Sequence, residues 1–179
     1  MILTRRLPFL LAIALTAGFL GACSATRPQP RPQASATPAP LAVDPSVDYR
    51  DPSAVCEAFA IAAHRIDTAV DQGPADAYQR TAAYLDATLA AAATVRDSVR
   101  QTPQWQEWAL HGASTDVQIG PYAGDALPPD TAEQQHRTVL ITSQPVGREG
   151  WRGPLERHTV VCTLRLTTVG WRISDYEIG

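Results

Sequence analysis

The chain contains no lysine and no asparagine, and only one methionine and three cysteines, in 179 residues. Both missing residue types are written with AA-starting codons, so their absence beside abundant Arg and Ala reads as the mark of a GC-rich genome. Without Lys, phosphate recognition would need clustered Arg, and apart from Arg5 and Arg6 the 13 remaining Arg residues are scattered singly against 18 Asp and Glu. Nucleic acid is therefore not expected as a partner. Also missing are a Gly-rich phosphate loop, a dinucleotide fingerprint, HExxH, GxSxG and an EF-hand loop. No CxxC and no Cys/His cluster with zinc spacing occurs, so neither a metal nor a cofactor is expected.

The N-terminus carries the most specific signal. Arg5 and Arg6 precede an apolar run from Leu7 to Leu20, which ends in Leu20-Gly21-Ala22-Cys23. A charged region, an apolar region and small residues before a cleavage point make a secretory signal. The run is short for a span of about 20 residues and contains Pro8 and Gly18, which disfavours a permanent membrane helix. The terminal tetrapeptide resembles a bacterial lipobox. That resemblance implies that the Cys23 thiol receives a diacylglycerol, with palmitate-type chains, and becomes the mature N-terminus. Cleavage after Ala22 leaves 157 of the 179 residues, and loss of Arg5 and Arg6 takes the net charge from -3 to near -5. The expected location is the extracytoplasmic side of the cell membrane, held by lipid.

Residues 23–49 form the expected tether, with Pro28, Pro30, Pro32, Pro38, Pro40 and Pro45 among Ala, Gln, Ser and Thr. Such a segment buries too little apolar surface to offset its ordering entropy, and proline favours an extended spacer. Residues 50–179 suffice for one domain. Asp51-Pro52 opens a helix by capping free amides and seating Pro in the first turn, and Gly73-Pro74 ends it. Val55, Phe59, Ala62, Ile66, Ala69 and Val70 form its apolar stripe, with Glu57, His64 and Asp71 opposite, facing solvent. A second helix starts at Pro74 and presents Tyr78, Thr81, Tyr84, Leu85, Leu89 and Ala92 on one broad face.

From Trp108 the period becomes two, giving a first strand through Ala109, His111, Ala113, Thr115, Val117 and Ile119. A second covers Thr138–Ser143, and a third alternates His158, Val160, Cys162, Leu164 and Leu166. Gly170 turns it into Trp171–Ile178. Helices followed by strands predict an α+β fold with N-terminal helices packed on a curved antiparallel sheet. In an oxidising compartment Cys56 and Cys162 are expected to form a disulfide between the first helix and the third strand; two separate buried thiols are the alternative.

Candidate chemistry is sparse. His64 and Asp67 are three apart and suit a surface ion pair. His111 and His158 lie on the apolar-parity faces of their strands, as buried core residues or as bases of a pocket. Trp105 and Trp108 suit the edge of a core or a ligand clamp.

The lipobox, the proline-rich tether, the helix near Phe59–Val70, the Pro-x-Asp-Ala-x-x-x-x-Ala-x-x-Leu stretch from Pro74 to Leu85, and the Val160–Ile178 hairpin together resemble the nuclear transport factor 2-like cone. More narrowly, residues 51–179 are similar to extracytoplasmic scaffold domains of actinobacterial conjugation and type IV secretion proteins. The resemblance implies a non-enzymatic assembly module that meets envelope proteins, in a monomer or an oligomer, and carries over no catalytic residue. The alternative is a small-molecule or isomerase/dehydratase-like pocket protein, for which Tyr78, Tyr84, His111 and His158 are the candidates. A cone filled by Phe59, Ile66 and Leu164 favours the scaffold. A buried acid beside an aromatic hydroxyl favours the pocket. The strand edge near Trp171–Ile178 is the expected place for strand addition.

Overall fold

A computed structural model describes residues 42–94, 102–124 and 127–179. The first helix, α1, spans Pro52–His64. The Asp51 side chain accepts the Ser53 N–H at 2.8 Å and Pro52 occupies the first turn, which satisfies the amides that a helix start leaves unpaired. The helix stops nine residues before Gly73. Arg65 is extended, and the chain then pairs with the approach to the sheet: Ile66 N–H donates to Thr115 Oγ1 at 2.8 Å, Thr115 N–H to Ile66 O at 2.9 Å, and Thr68 N–H to Ala113 O at 3.0 Å. Asp67 Oδ1 accepts the Ala69 N–H at 2.9 Å, a local bond that competes with helix. Ile66, Ala69 and Val70 therefore leave the expected stripe, and Val70 is exposed. Asp71, expected at the surface, is buried, where it accepts the Asp67 N–H at 2.9 Å and pairs with Arg80.

The expected second helix is three pieces. Helix α2 (Pro74–Arg80) runs into a 3₁₀ turn (Thr81–Ala83), and α3 (Ala87–Thr94) restarts beyond it. Between them Tyr84–Asp86 lies alongside the last strand: Ile173 N–H donates to Tyr84 O and Asp86 N–H to Ile173 O, both at 2.9 Å. Asp86 then caps α3 by accepting the Leu89 N–H at 2.9 Å. Trp108, read as the start of a strand, belongs to helix α4 (Pro103–Leu110), which is launched by a Thr102 cap and Pro103. The three-residue spacing of Trp105 and Trp108 is a helical spacing, and both rings are buried.

Strands β1 (Ser114–Gly120), β2 (Gln134–Val146), β3 (Glu156–Thr167) and β4 (Gly170–Ile178) form an antiparallel sheet in the order β1-β2-β3-β4. The α+β class is as expected. The register sets Val117 opposite Ser143, Arg137 opposite Cys162, Ile141 opposite His158 and Leu164 opposite Ile173, with a bulge between Thr163 and Leu164 that bends β3 and β4. Phe59, Val55, Ile141, Val160, Leu164 and Ile173 are fully buried between α1 and the sheet. The sulfurs of Cys56 and Cys162 are 1.99 Å apart, a disulfide joining α1 to β3 as expected. Cys56 is fully buried.

The two sheet edges differ. The first half of β4, expected to be open, is closed: Trp171 N–H donates to Tyr49 O at 2.8 Å and Ile173 to Tyr84. Tyr49, assigned to the tether by composition, is buried in the core together with the partly buried Val47. On the far side Thr115 pairs with Pro145, which has no N–H to give, and the Thr115 amide points outward to Ile66. Antiparallel alternation then turns the N–H and C=O of Val117 and Ile119 away from β2. Among the described residues nothing pairs with them.

Candidate functional site

A cleft of ≈ 220 Å³ lies between the end of α1, α2, α4 and the start of β3. His64, the last residue of α1, enters it with its Nδ1–H donating to Ala60 O at 2.8 Å. A carbonyl can only accept, so the lone pair of the ring is on Nε2. His158, one register step into β3, places its ring centroid 5.0 Å from that of His64 at an interplanar angle of 33°. Glu156 lies two residues earlier on the same face of β3, its Oε2 3.6 Å from His158 Nε2. The other oxygen, Glu156 Oε1, accepts Gln104 Nε2 at 3.0 Å from α4. Trp105, Trp108 and Tyr78 supply aromatic walls, and Ser143 of β2 supplies a hydroxyl.

Burial holds the pKa of His64 below the ordinary imidazole value; the Ala60 carbonyl opposes that shift, and the neighbouring His158 adds to it. His64 is therefore a neutral acceptor at pH 7. Its expected place on the solvent face was an error of the same kind as the overlong helix. Once α1 ends at residue 64, the last side chain folds under the chain reversal instead of standing on an exposed stripe.

The four pocket candidates separate. Tyr78 and His158 both line the cleft. Tyr84 lies elsewhere: its hydroxyl donates to Asp44 Oδ2 at 2.8 Å, and burial, followed by this carboxylate, raises its pKa well above the phenol range. Asp44 is itself held below the usual carboxylate range by hydrogen bonds from Ser46 and Tyr84. This acid beside a phenol is a surface clasp, not a chamber within the core. His111 is not on a strand; it caps α4 and stacks on Trp151 at 4.3 Å and 8°. The sequence reading missed His64, Glu156 and Ser143 as a group. The legible signal was Glu156-x-His158, since two residues of a strand spaced by two share a face.

A second polar oddity is Arg172, fully buried on β4. Its guanidinium lies 3.7 Å from the Tyr49 ring centroid and its Nη1 donates to Trp171 O at 3.3 Å, while Nε and Nη2 have no hydrogen-bond partner among the described residues. Among the described residues no group of three or more His, Cys, Asp or Glu is placed to hold a metal ion, and no helix is long and apolar enough to cross a membrane. Cys23 and the apolar run before it lie outside the described residues. No protein-family model, no curated protein and no solved structure matches the chain.

Proposed function

We propose that this protein is a lipid-anchored extracytoplasmic scaffold module of a cell-envelope complex, of the conjugation or secretion kind, acylated at Cys23 and built on an open variant of the nuclear transport factor 2-like cone. Supporting the cone reading are the helices-first order and a bulged antiparallel sheet covered on one face. The observation that carries the scaffold reading is the filled interior. Phe59, Leu164, Ile141 and Ile173 are fully buried and a disulfide crosses the space between helix and sheet, so the core is a rigid support for its surfaces rather than a reaction chamber. The contact surface is the outer edge of β1, where Val117 and Ile119 turn outward backbone groups that no described residue pairs and Ile119 is 39% exposed. An extended partner segment would add there as a fifth strand.

The test is capture of envelope partners by cross-linking in cells that express the full chain. Ile119→Pro deletes an outward N–H near the end of an edge strand, where proline is tolerated; it should abolish capture and leave the melting temperature within a few degrees. Cys23→Ser should release the protein from the membrane fraction. Undiminished capture by Ile119→Pro would defeat the edge assignment, and a mature N-terminus other than acylated Cys23 would defeat the anchor. The second reading, a pocket protein, is favoured by one observation, the convergence of His64, His158, Glu156 and Tyr78 on the cleft. Loss of function in His158→Ala, with capture and fold intact, would select it.

A further inference from the structure

We propose that the cleft between α1, α2, α4 and β3 is a binding site for a small organic cation that carries a primary ammonium group. The inference rests on the cleft alone and not on the envelope reading. Beside the Tyr78 and Ser143 hydroxyls, two acceptors face each other across the cleft from α1 and β3. His64 spends its one N–H on Ala60 O and turns a lone pair outward. Glu156 presents Oε2, its Oε1 being held by Gln104. Among the described residues no Arg lines the space, and the Glu156 carboxylate is their only formal charge there when the imidazoles are neutral. An anion would meet that carboxylate, and a neutral ligand would leave its charge uncompensated in a half-closed recess.

The walls suit the rest of such a ligand. Trp105, Trp108 and Tyr78 offer apolar surface and aromatic rings to the methylenes beside an ammonium. A space of ≈ 220 Å³ is below the about 300 to 1,000 Å³ of sites for drug-sized molecules. The ligand is therefore of fragment size, with one charged end and one apolar end. Among the described residues the ionisable groups that line the cleft are His64 from α1, Tyr78 from α2, and Glu156 and His158 from β3, while α4 contributes Gln104, Trp105 and Trp108, which carry no ionisable group. Protonating His64 adds positive charge beside the ammonium, so occupancy should fall as pH drops below the ordinary imidazole value.

The experiment is calorimetric titration of the full-length chain, in neutral detergent, with benzylammonium, benzyl alcohol and benzoate. At pH 7.5 benzylammonium should bind at least about tenfold more tightly than the isosteric alcohol, as expected when a charge-assisted bond replaces a neutral one, and benzoate should not bind. Lowering the pH to 5 should weaken benzylammonium by a similar factor and leave the alcohol unchanged. Glu156→Gln should bring benzylammonium down to the level of the alcohol. If that variant does not fold, the His64 and His158 ring-proton shifts of the unmodified protein decide, since the ammonium should move both and the alcohol neither. Equal affinity for ammonium and alcohol, tighter binding of benzoate, no binding at all, or ring shifts absent on ammonium addition would each overturn the proposal.

Discussion

Replacing both Cys56 and Cys162 by alanine opens a covalent loop that joins residues 106 apart in sequence. In the chain-entropy account, a cross-link closing about 100 residues lowers the entropy of the unfolded chain by an amount worth about 4.7 kcal/mol. Residual contacts in the denatured state reduce that figure, so about 3 to 4.5 kcal/mol is the expected loss. For a domain near 130 residues, each kcal/mol corresponds to about 3 °C. The melting temperature should therefore fall by about 9 to 14 °C. Total stabilities of about 5 to 15 kcal/mol leave the variant folded at room temperature. The assay is thermal unfolding by circular dichroism of the oxidised protein, the same protein with reductant, and the double alanine variant; the last two should melt alike. A shift below about 3 °C in the double variant, or two alkylatable thiols in unreduced, denatured protein, would refute the reasoning.

Two further perturbations test the cleft and the β3–β4 turn. His64 has a lowered pKa in the folded state, so the unfolded chain takes up the proton first. Stability is complete above the ordinary imidazole value, declines as pH falls below about 6.5, and stops declining only below the folded pKa. His64→Gln should flatten the dependence of melting temperature on pH between 7.5 and 5, and an unchanged slope would contradict the assignment. Gly170→Ala forces a side chain onto φ +100°, with its Cβ 2.5 Å from Tyr49 O. It should cost about 2 to 3 kcal/mol in urea unfolding, whereas a loss under about 0.5 kcal/mol would show that the contact yields.

What could be read in the sequence was what local rules decide. The start of α1 follows from Asp51-Pro52, the alternation of His158 to Leu164 gives β3, and Gly170 gives the final turn; each depends on neighbours a few residues away. The end of α1 was not legible, because it is decided by Thr115, about fifty residues downstream, which gives the backbone of Ile66 a partner outside the helix. Tyr84–Asp86 left the helical pattern for the same reason, trading helix bonds for the edge of β4. His111 fell to a confusion of periods: Trp105-x-x-Trp108 is helical spacing, and the strand pattern begins six residues later. The cleft was half legible, through Tyr78 and His158, and its other half required knowing where α1 stops.

The disulfide also decides how the domain bears tension. A pull from the N-terminal side first meets Asp44, which accepts the Tyr84 hydroxyl, and then Tyr49, whose carbonyl holds Trp171, whose hydroxyl donates to Ala83 O at 3.0 Å, and whose ring lies against the Arg172 guanidinium. This clasp is made of weak bonds and can be peeled one at a time. Seven residues later, at Cys56, the pull reaches a covalent bond into β3, in the interior of the sheet. A counter-load held on β1 then reaches the cross-link through the β1–β2 and β2–β3 ladders and through the Ile66–Thr115 bonds beyond the end of α1, and α2, α3 and α4 lie off that line. The pair of cysteines works as the strain relief on a cable, letting the first dozen residues give way while the folded body stays closed.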